Sequence, residues 1–454
     1  MHKRIVILGA GISGLAAAYL IKQKGFDVTV LEKKNEVGGT IETSNENGFL
    51  FERGVNNALD SNPIISKLVN DLNLEEQIVY ANKIANKRYI LRNNTLHALP
   101  LNPAAFLKTK LFSTKAKLRL MAEPFISRSK DGYYQSVAEF VSRRLGREIL
   151  DYAFNPFVAE VYAGNPESLS VKSAFPKLYA LEEDFGSLIV GTFKSVKQRK
   201  QQKNKTVESG KMFSFKDGMA VFPRALAKSL SSSIFTQAEV KKVEKHGNQY
   251  QIVGTHKNEK FSLLSDVVIS TVPAFAAAEL LGNLDETLKK HLLDIYYPPL
   301  LVQYLVYKRK DINQPLDGFG FLVPTKEKKS FLASIWSSEI FPNKASKEYA
   351  AFTIFVGGAR DPEILSIDKE ILFMKVRGEF ETLMKISDEP VYTSYKFWPQ
   401  SIPQYSIGHI EHEKYFDQFE QKFPGIFLHG SYKGGMSFGD CIKSSALLAE
   451  KAVS

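Results

Sequence analysis

The first forty residues constrain this chain more than any other stretch. Four apolar residues, Ile5-Val6-Ile7-Leu8, run directly into Gly9-Ala10-Gly11-Ile12-Ser13-Gly14. The next apolar run, Val28-Thr29-Val30-Leu31, closes on Glu32, and Gly38-Gly39 follows. Each part answers a physical demand of an adenine dinucleotide. Gly9 lets the chain turn sharply off the strand, and Gly11 lets backbone N–H groups approach a pyrophosphate. Gly14 lets the helix lie close to the strand, its N-terminal dipole aimed at the phosphates. Glu32 is placed to accept hydrogen bonds from a ribose 2′-hydroxyl. A lone glycine triplet is a weak signal. Strand, glycines, helix and acid in register specify a dinucleotide.

At 454 residues the chain exceeds the size at which a single core keeps growing, so two or three domains are expected. Its hydrophobic content of 44% and charged content of 24% are those of a soluble globular protein. No window offers ~18 consecutive apolar residues, so no transmembrane helix is expected. Folding begins at residue 4 in this reading, which leaves no signal or transit peptide. Cys441 stands alone, which excludes an internal disulfide and a cysteine-rich metal site. No metal-ligand spacing occurs among the 8 histidines, and no metal is expected. These features favour a reducing, cytoplasmic setting.

The net charge of +11 points to nucleic acid, an anionic membrane surface or an acidic substrate. No nucleic-acid fold signature is present, so no nucleic-acid partner is expected. A polycarboxylate substrate and a peripheral contact with the inner face of a membrane both stay open.

Along the chain, a β-α-β unit spans a strand at 4–8, a helix at 12–24 ending at Gly25, and a strand at 27–32. An amphipathic helix is predicted from about 61 to 75, then short strands between 78 and 99. From about 102 to 160 helix formers dominate, with Lys108, Lys110, Lys115, Lys117 and Arg119 interleaved among Leu107, Leu111, Phe112, Leu118 and Met121. That stretch reads equally as a membrane-lying face or as an ordinary solvated one. Residues 194–211 are dense in lysine and predict a solvated loop. Strands resume from about 236, with longer ones over 297–323 and 330–356. Near the other end, Gly425 to Gly430 reads as a strand leading to a glycine turn, and a helix opens at Asp440. Asp440 doubles as a candidate N-cap, and Cys441 reads as a small buried residue.

The glycine opening, Glu32 and Gly38-Gly39 resemble the fold family shared by flavin-dependent amine oxidases, phytoene desaturases and protoporphyrinogen oxidases. Asn155-Pro156-Phe157-Val158-Ala159-Glu160-Val161-Tyr162-Ala163-Gly164-Asn165-Pro166 resembles the PFVxGVYAGDP run of the porphyrinogen-oxidising members. Gly218-Met219-Ala220-Val221-Phe222-Pro223, Ser337-Ser338-Glu339-Ile340-Phe341-Pro342-Asn343-Lys344 and Phe355-Val356-Gly357-Gly358-Ala359-Arg360 resemble further segments. Trp398-Pro399-Gln400 and Gly434-Gly435-Met436-Ser437-Phe438-Gly439-Asp440 complete a collinear match over essentially the whole chain.

The resemblance implies FAD as cofactor and an α/β class, α+β overall. A discontinuous Rossmann-type FAD-binding domain would take residues 1–76, 213–285 and 400–454. A mixed-sheet substrate domain would take 77–98 and 286–399, and a mainly helical subdomain, a candidate for facing a membrane, 99–212. By resemblance the cofactor contacts fall on Gly9, Gly11, Ile12, Ser13, Gly14, Glu32, Lys33, Gly38, Gly39, Thr40, Gly54, Val240, Thr271, Gly430, Met436 and Ser437. The implied reaction oxidises protoporphyrinogen IX to protoporphyrin IX in haem biosynthesis by three hydride transfers to FAD, which O2 reoxidises to give H2O2. No side chain is assigned as catalytic. Substrate-pocket candidates are Asn56, Ala163, Gly164, Leu322 and Phe341, with the Ala163-Gly164 turn bringing backbone oxygens toward pyrrole N–H groups.

Two departures stand out. Val55-Asn56 replaces the Pro-Arg of many relatives, where the arginine pairs with a propionate, and Glu42 stands where arginine is common. Asparagine offers neither charge nor a bidentate fork. Protoporphyrinogen IX is favoured, with coproporphyrinogen III as the alternative. An amine oxidase or carotenoid-type desaturase, and a flavin- or porphyrin-binding protein that has lost turnover, are the other readings. A monomer or homodimer is expected.

Overall fold

The computed structural model describes residues 3–130, 133–201 and 210–454. Ile5–Leu8 forms a strand buried along its whole length, as parallel sheets covered on both faces require. It lies between Val28–Leu31 and Val267–Ser270, pairing parallel with both. Ile234–Phe235 and Ile426–Leu428 add the outer strands of a five-stranded parallel sheet. Alternate residues sort to the two faces. Ile5 and Ile7 pack with the helices Ile12–Gln23, Val221–Ser229 and Phe438–Val453, whereas Val6 and Leu8 pack with Ala274–Leu281 and Glu286–Leu293.

A second, seven-stranded sheet runs in the order Tyr392–Trp398, Leu300–Lys308, Tyr349–Gly357, Ala333–Ile335, Gly320–Leu322, Arg88–Arg92 and Thr95–Ala98. It is mixed, because Gly320–Leu322 pairs parallel with Arg88–Arg92 while the other neighbours are antiparallel. The helix Lys369–Met384 covers one face through Leu372, Val376 and Phe380. The opposite face carries Ile90, Leu322, Ala333, Ile335, Val302, Tyr304 and the half-buried Phe355, and it turns toward the rest of the molecule.

Three sequence expectations need correction. The runs 297–323 and 330–356 are each broken, into Leu300–Lys308 and Gly320–Leu322 and into Ala333–Ile335 and Tyr349–Gly357. Pro315 and Pro342 fall inside the gaps, where a residue without an N–H cannot extend a ladder. The lysine-dense stretch is not a loop over its first half, since Leu188–Gln201 is helical. Its first turn is held by a carboxylate from elsewhere. Glu123 accepts from the backbone of Leu188 (2.9 Å) and Ile189 (3.2 Å) and from Ser187 Oγ (2.6 Å), and it pairs with the fully buried Arg144 at 2.8 Å. Residues 202–209 lie outside the described residues, and Lys211–Phe215 is a strand. Finally, the C-terminal helix starts at Phe438, and Ser437 rather than Asp440 caps it.

Candidate active site

Gly9 carries the chain off its strand with φ +98°, and its N–H donates to Leu31 O at 2.8 Å. Gly14 is fixed by close approach, because a Cβ there would sit 2.1 Å from Gly9 O. The helix that follows has Gly11 at its N-cap and no side chain capping it. Its first-turn N–H groups therefore form an anion cradle. Gly38 and Gly39, at φ +111° and +64°, cross over Gly11; Gly38 N–H donates to Ala10 O at 2.8 Å. A Cβ on Gly39 would lie 3.1 Å from Gly11 Cα.

Glu32 sits where the motif puts it, at the end of Val28–Leu31, and is 9% exposed. Its Oε2 accepts from Ala10 N at 2.7 Å and its Oε1 from Lys34 N at 2.8 Å, which fixes the carboxylate against the glycine turn. Each oxygen keeps a further lone pair. Thr271 closes the same corner, its hydroxyl donating to Leu8 O at 2.8 Å. Lys33 reaches outward to Glu239 at 2.8 Å, and that hydrogen bond raises its pKa. Val240, next to Glu239 on Ala238–His246, packs into the second face of the parallel sheet. Thr40 is exposed, and its carbonyl approaches Gly54 so closely that a Cβ there would meet it at 1.9 Å.

The far end of the chain returns to this corner. His429 N–H donates to Ser270 O at 2.9 Å, and Gly430, Gly434 and Gly435 follow at φ +131°, +95° and +107°. Tyr405 braces that loop, donating to Ser431 O (2.7 Å) and accepting from Gly435 N (3.2 Å). Ser437 caps the C-terminal helix, accepting from Asp440 N at 3.1 Å and donating to the Asp440 carboxylate at 2.6 Å. Asp440 thus lies in the first turn. Ser445 Oγ donates to Ser13 O at 3.0 Å, joining the last helix to the first. Ile442 and Ala449 are buried in that contact, with Ala446 and Val453 beside them. Cys441 is 5% exposed, and burial pushes its thiol up to about 11. It is a packed thiol, not a nucleophile.

The pocket candidates gather on the mixed sheet in two groups. Leu322 packs with Tyr162, Tyr405 and Met436. Phe341 packs with Ile335, Ile340 and Phe319, and lines a recess with Asn56, Thr353 and Lys344. Phe355 touches both groups and joins them. Asn56 reaches back toward Gly54 O at 3.4 Å. Ala163 ends the helix Asn155–Tyr162 at φ +47°, and its carbonyl accepts from Ala359 N at 2.6 Å. Gly164 is buried beside Gln404, whose Nε2 donates to Tyr162 O at 2.8 Å while its buried Oε1 has no partner.

Sequence reasoning missed several of these residues. Arg88 lies opposite Gly320 in the mixed sheet, its guanidinium 3.9 Å above the Phe319 ring. Its Nη1 is 3.6 Å from Oε2 of Glu160. Burial pushes the Glu160 carboxyl up, against the pull of Arg88. Lys344 pairs with Glu52, whose carboxylate also accepts from Met219 N (3.0 Å) and Thr43 Oγ1 (2.6 Å). No spacing could announce pairs so distant in the chain. Glu42, in place of an arginine, is partly buried, but Lys396 (2.6 Å) and Lys34 (3.3 Å) hold its carboxyl below the usual range.

A parallel sheet with a glycine cradle at one end, closed by a second glycine loop, defines a dinucleotide-binding flavoprotein. Residues 12–452 match the family described as flavin containing amine oxidoreductase. The chain is 32% identical over 478 residues to protoporphyrinogen oxidase 2, chloroplastic/mitochondrial, of Arabidopsis thaliana, covering 100% of this chain and 94% of the relative. It is 29% identical over 456 residues to coproporphyrinogen III oxidase of Bacillus subtilis, with 97% and 96% covered. Among solved structures, a "putative protoporphyrinogen oxidase" of Exiguobacterium sp. 255-15 superposes with a TM-score of 0.82 at 23% identity, covering 100% of this chain and 99% of that one. That last likeness shows the fold. The chain belongs to the flavin-containing amine oxidoreductase family, and its cofactor is FAD.

Proposed function

We propose that this protein oxidises protoporphyrinogen IX to protoporphyrin IX, with three molecules of O2 taking six electrons and six protons to give three of H2O2. The residues fit FAD: the uncapped helix at Gly11 offers Ile12, Ser13 and Gly14 N–H groups to a pyrophosphate, Glu32 faces a ribose, and Gly434-Gly435 leaves room for a flat ring. Bound there, FAD supplies a hydride acceptor, which no side chain can provide.

One observation carries the reading. The apolar face of the mixed sheet, with Ile90, Leu322, Ala333 and Phe355, shares a single cluster with Met436 of the glycine loop and with Tyr405, which braces that loop. A flat apolar macrocycle suits such a wall. Gln404 Oε1, buried and unpartnered, accepts from a pyrrole N–H, and Arg88 takes a propionate. Arg88 is shared with Glu160 and Asn56 is neutral, which suits the two propionates of protoporphyrinogen better than the four of coproporphyrinogen.

The test is aerobic oxidation of both porphyrinogens side by side, reading porphyrin fluorescence and peroxide above autoxidation. Faster turnover of coproporphyrinogen III would overturn the substrate choice, and no excess rate with either would overturn the function.

Among the described residues no helix is long and apolar enough to cross a membrane. The peripheral contact is assigned to the helices Pro103–Lys108 and Thr114–Met121, where Leu107, Leu118, Met121 and nearby Phe125 are 60%, 63%, 62% and 89% exposed among lysines. Apolar side chains rimmed by cations suit an anionic bilayer. Sedimentation with phosphatidylglycerol vesicles that is lost in Leu118→Glu/Phe125→Glu is expected; equal sedimentation with and without vesicles would exclude it.

A further inference from the structure

Glu160 is a mostly covered acid in a place where a carboxylate is costly. Its side chain is 11% exposed, its Oε2 has no hydrogen-bond partner, and Arg88 Nη1 stands 3.6 Å away, too far for a hydrogen bond. The Arg88 side chain is 29% exposed, and its guanidinium stacks on the Phe319 ring. Gly320 faces Arg88 in register on the neighbouring strand.

We propose that Arg88 and Glu160 act together as a proton-coupled carboxylate clamp. One substrate propionate docks on the exposed side of the pair, bonding to Arg88 and accepting a hydrogen bond from a Glu160 that holds a proton. Glu160 is thus a specificity-determining residue for carboxylate-bearing tetrapyrroles. This rests on the porphyrinogen reading given above.

The balance is simple. A propionate entering beside an ionised Glu160 would place two anions on one cation, so wherever Glu160 is ionised in the free protein, binding takes up one proton from solvent onto its carboxylate. Burial already favours the protonated form, with Arg88 opposing. Other groups near this helix do not compete. The facing strand residues Gly320–Leu322 and Ala333–Ile335 do not titrate. Asp151, in the turn before the helix, is paired with Arg147 (3.0 Å) and Lys326 (2.6 Å). Tyr152 lies under Arg92, and Tyr162 donates to Ala174 O at 2.6 Å.

The experiment measures binding of protoporphyrin IX and of its dimethyl ester to the FAD-loaded protein by fluorescence, from pH 6.5 to 8.5. In wild type the Kd for the free acid is expected to rise with pH, approaching tenfold per unit once Glu160 ionises, because one proton is linked to binding. The ester, having no carboxylate, shows no such slope. Glu160→Gln, checked for wild-type flavin content and melting temperature, binds the free acid with a Kd that no longer varies over this range. A wild-type slope in Glu160→Gln, or the same slope with the ester, would overturn the clamp. Failure of wild type to bind either porphyrin at any pH would instead overturn the porphyrinogen reading beneath it.

Discussion

Lys344 and Glu52 form an ion pair closed off from solvent, with side chains only 3% and 2% exposed. The pair bolts together three segments: the turn at Met219, the strand ending at Glu52 and the loop after Phe341. Burial holds the Lys344 pKa below its ordinary value, with the Glu52 carboxylate opposing.

Removing one partner of such a pair strands a buried charge. Lys344→Met is expected to destabilise the protein by about 3–5 kcal/mol. Lys344→Met/Glu52→Gln should recover part of the loss, because glutamine still accepts from Met219 N without a charge. Urea midpoints measure both. A single variant as stable as wild type would show that the pair contributes nothing.

Gly39 and Gly435 both hold φ values that disfavour any side chain, and a Cβ on Gly435 would lie 2.6 Å from Asp440 Cβ. Strain of about 1–2 kcal/mol per site should follow Gly39→Ala or Gly435→Ala. FAD retention after gel filtration is expected to fall roughly tenfold, with far-UV circular dichroism unchanged. Full flavin occupancy in both would remove the two loops from the cofactor site.

Tyr405 makes two hydrogen bonds to the loop 431–435. In Tyr405→Phe the Gly435 N–H loses its partner, a cost of about 1–3 kcal/mol. Flavin should dissociate faster, and kcat/KM should drop about tenfold. Unchanged flavin release would mean the loop is held by other contacts.

Burial holds His409 and His429 at a pKa of about 4, below the ordinary 6.5. The folded pKa lies below the unfolded one, so the unfolded chain binds the extra proton as pH falls. Their contribution is intact above about pH 6.5 and is lost on the way down to about 4, up to ~3 kcal/mol each. Unfolding free energy from pH 7.5 to 4.5 should therefore decline, and His429→Asn should flatten that limb. The same slope in the variant would assign it to other groups.

What could be read from the sequence was whatever depends on neighbours in the chain. Gly9, Gly14 and Glu32 answer to a strand and helix a few residues away, and their spacing carried the cofactor. The helix Leu188–Gln201 went unread because its first turn is held by Glu123, far upstream, while its own lysines look like loop. Ser437 was passed over as a cap because Asp440 is the more conspicuous acid. Arg88 meets Glu160 only once the mixed sheet is folded against the helix Asn155–Tyr162, and Glu52 meets Lys344 only once the loop after Phe341 reaches the strand Phe49–Glu52. Local pattern does not encode such meetings.

The order of strands in the parallel sheet has a consequence for how the protein is made. Ile5 pairs with Val267, and Val268 with Ile426. A nascent chain therefore carries its first strand with one edge open for more than half of synthesis, and the edge of Val267–Ser270 stays open until residues 426–428 emerge. Open edges of apolar parallel strands invite wrong pairing. The last helix, which seats Ser445 on Ser13, arrives later still. The glycine corner around Gly9 and Gly434-Gly435 is thus assembled only after residues 426–445 have joined the strand Val267–Ser270 and the helix Ile12–Gln23.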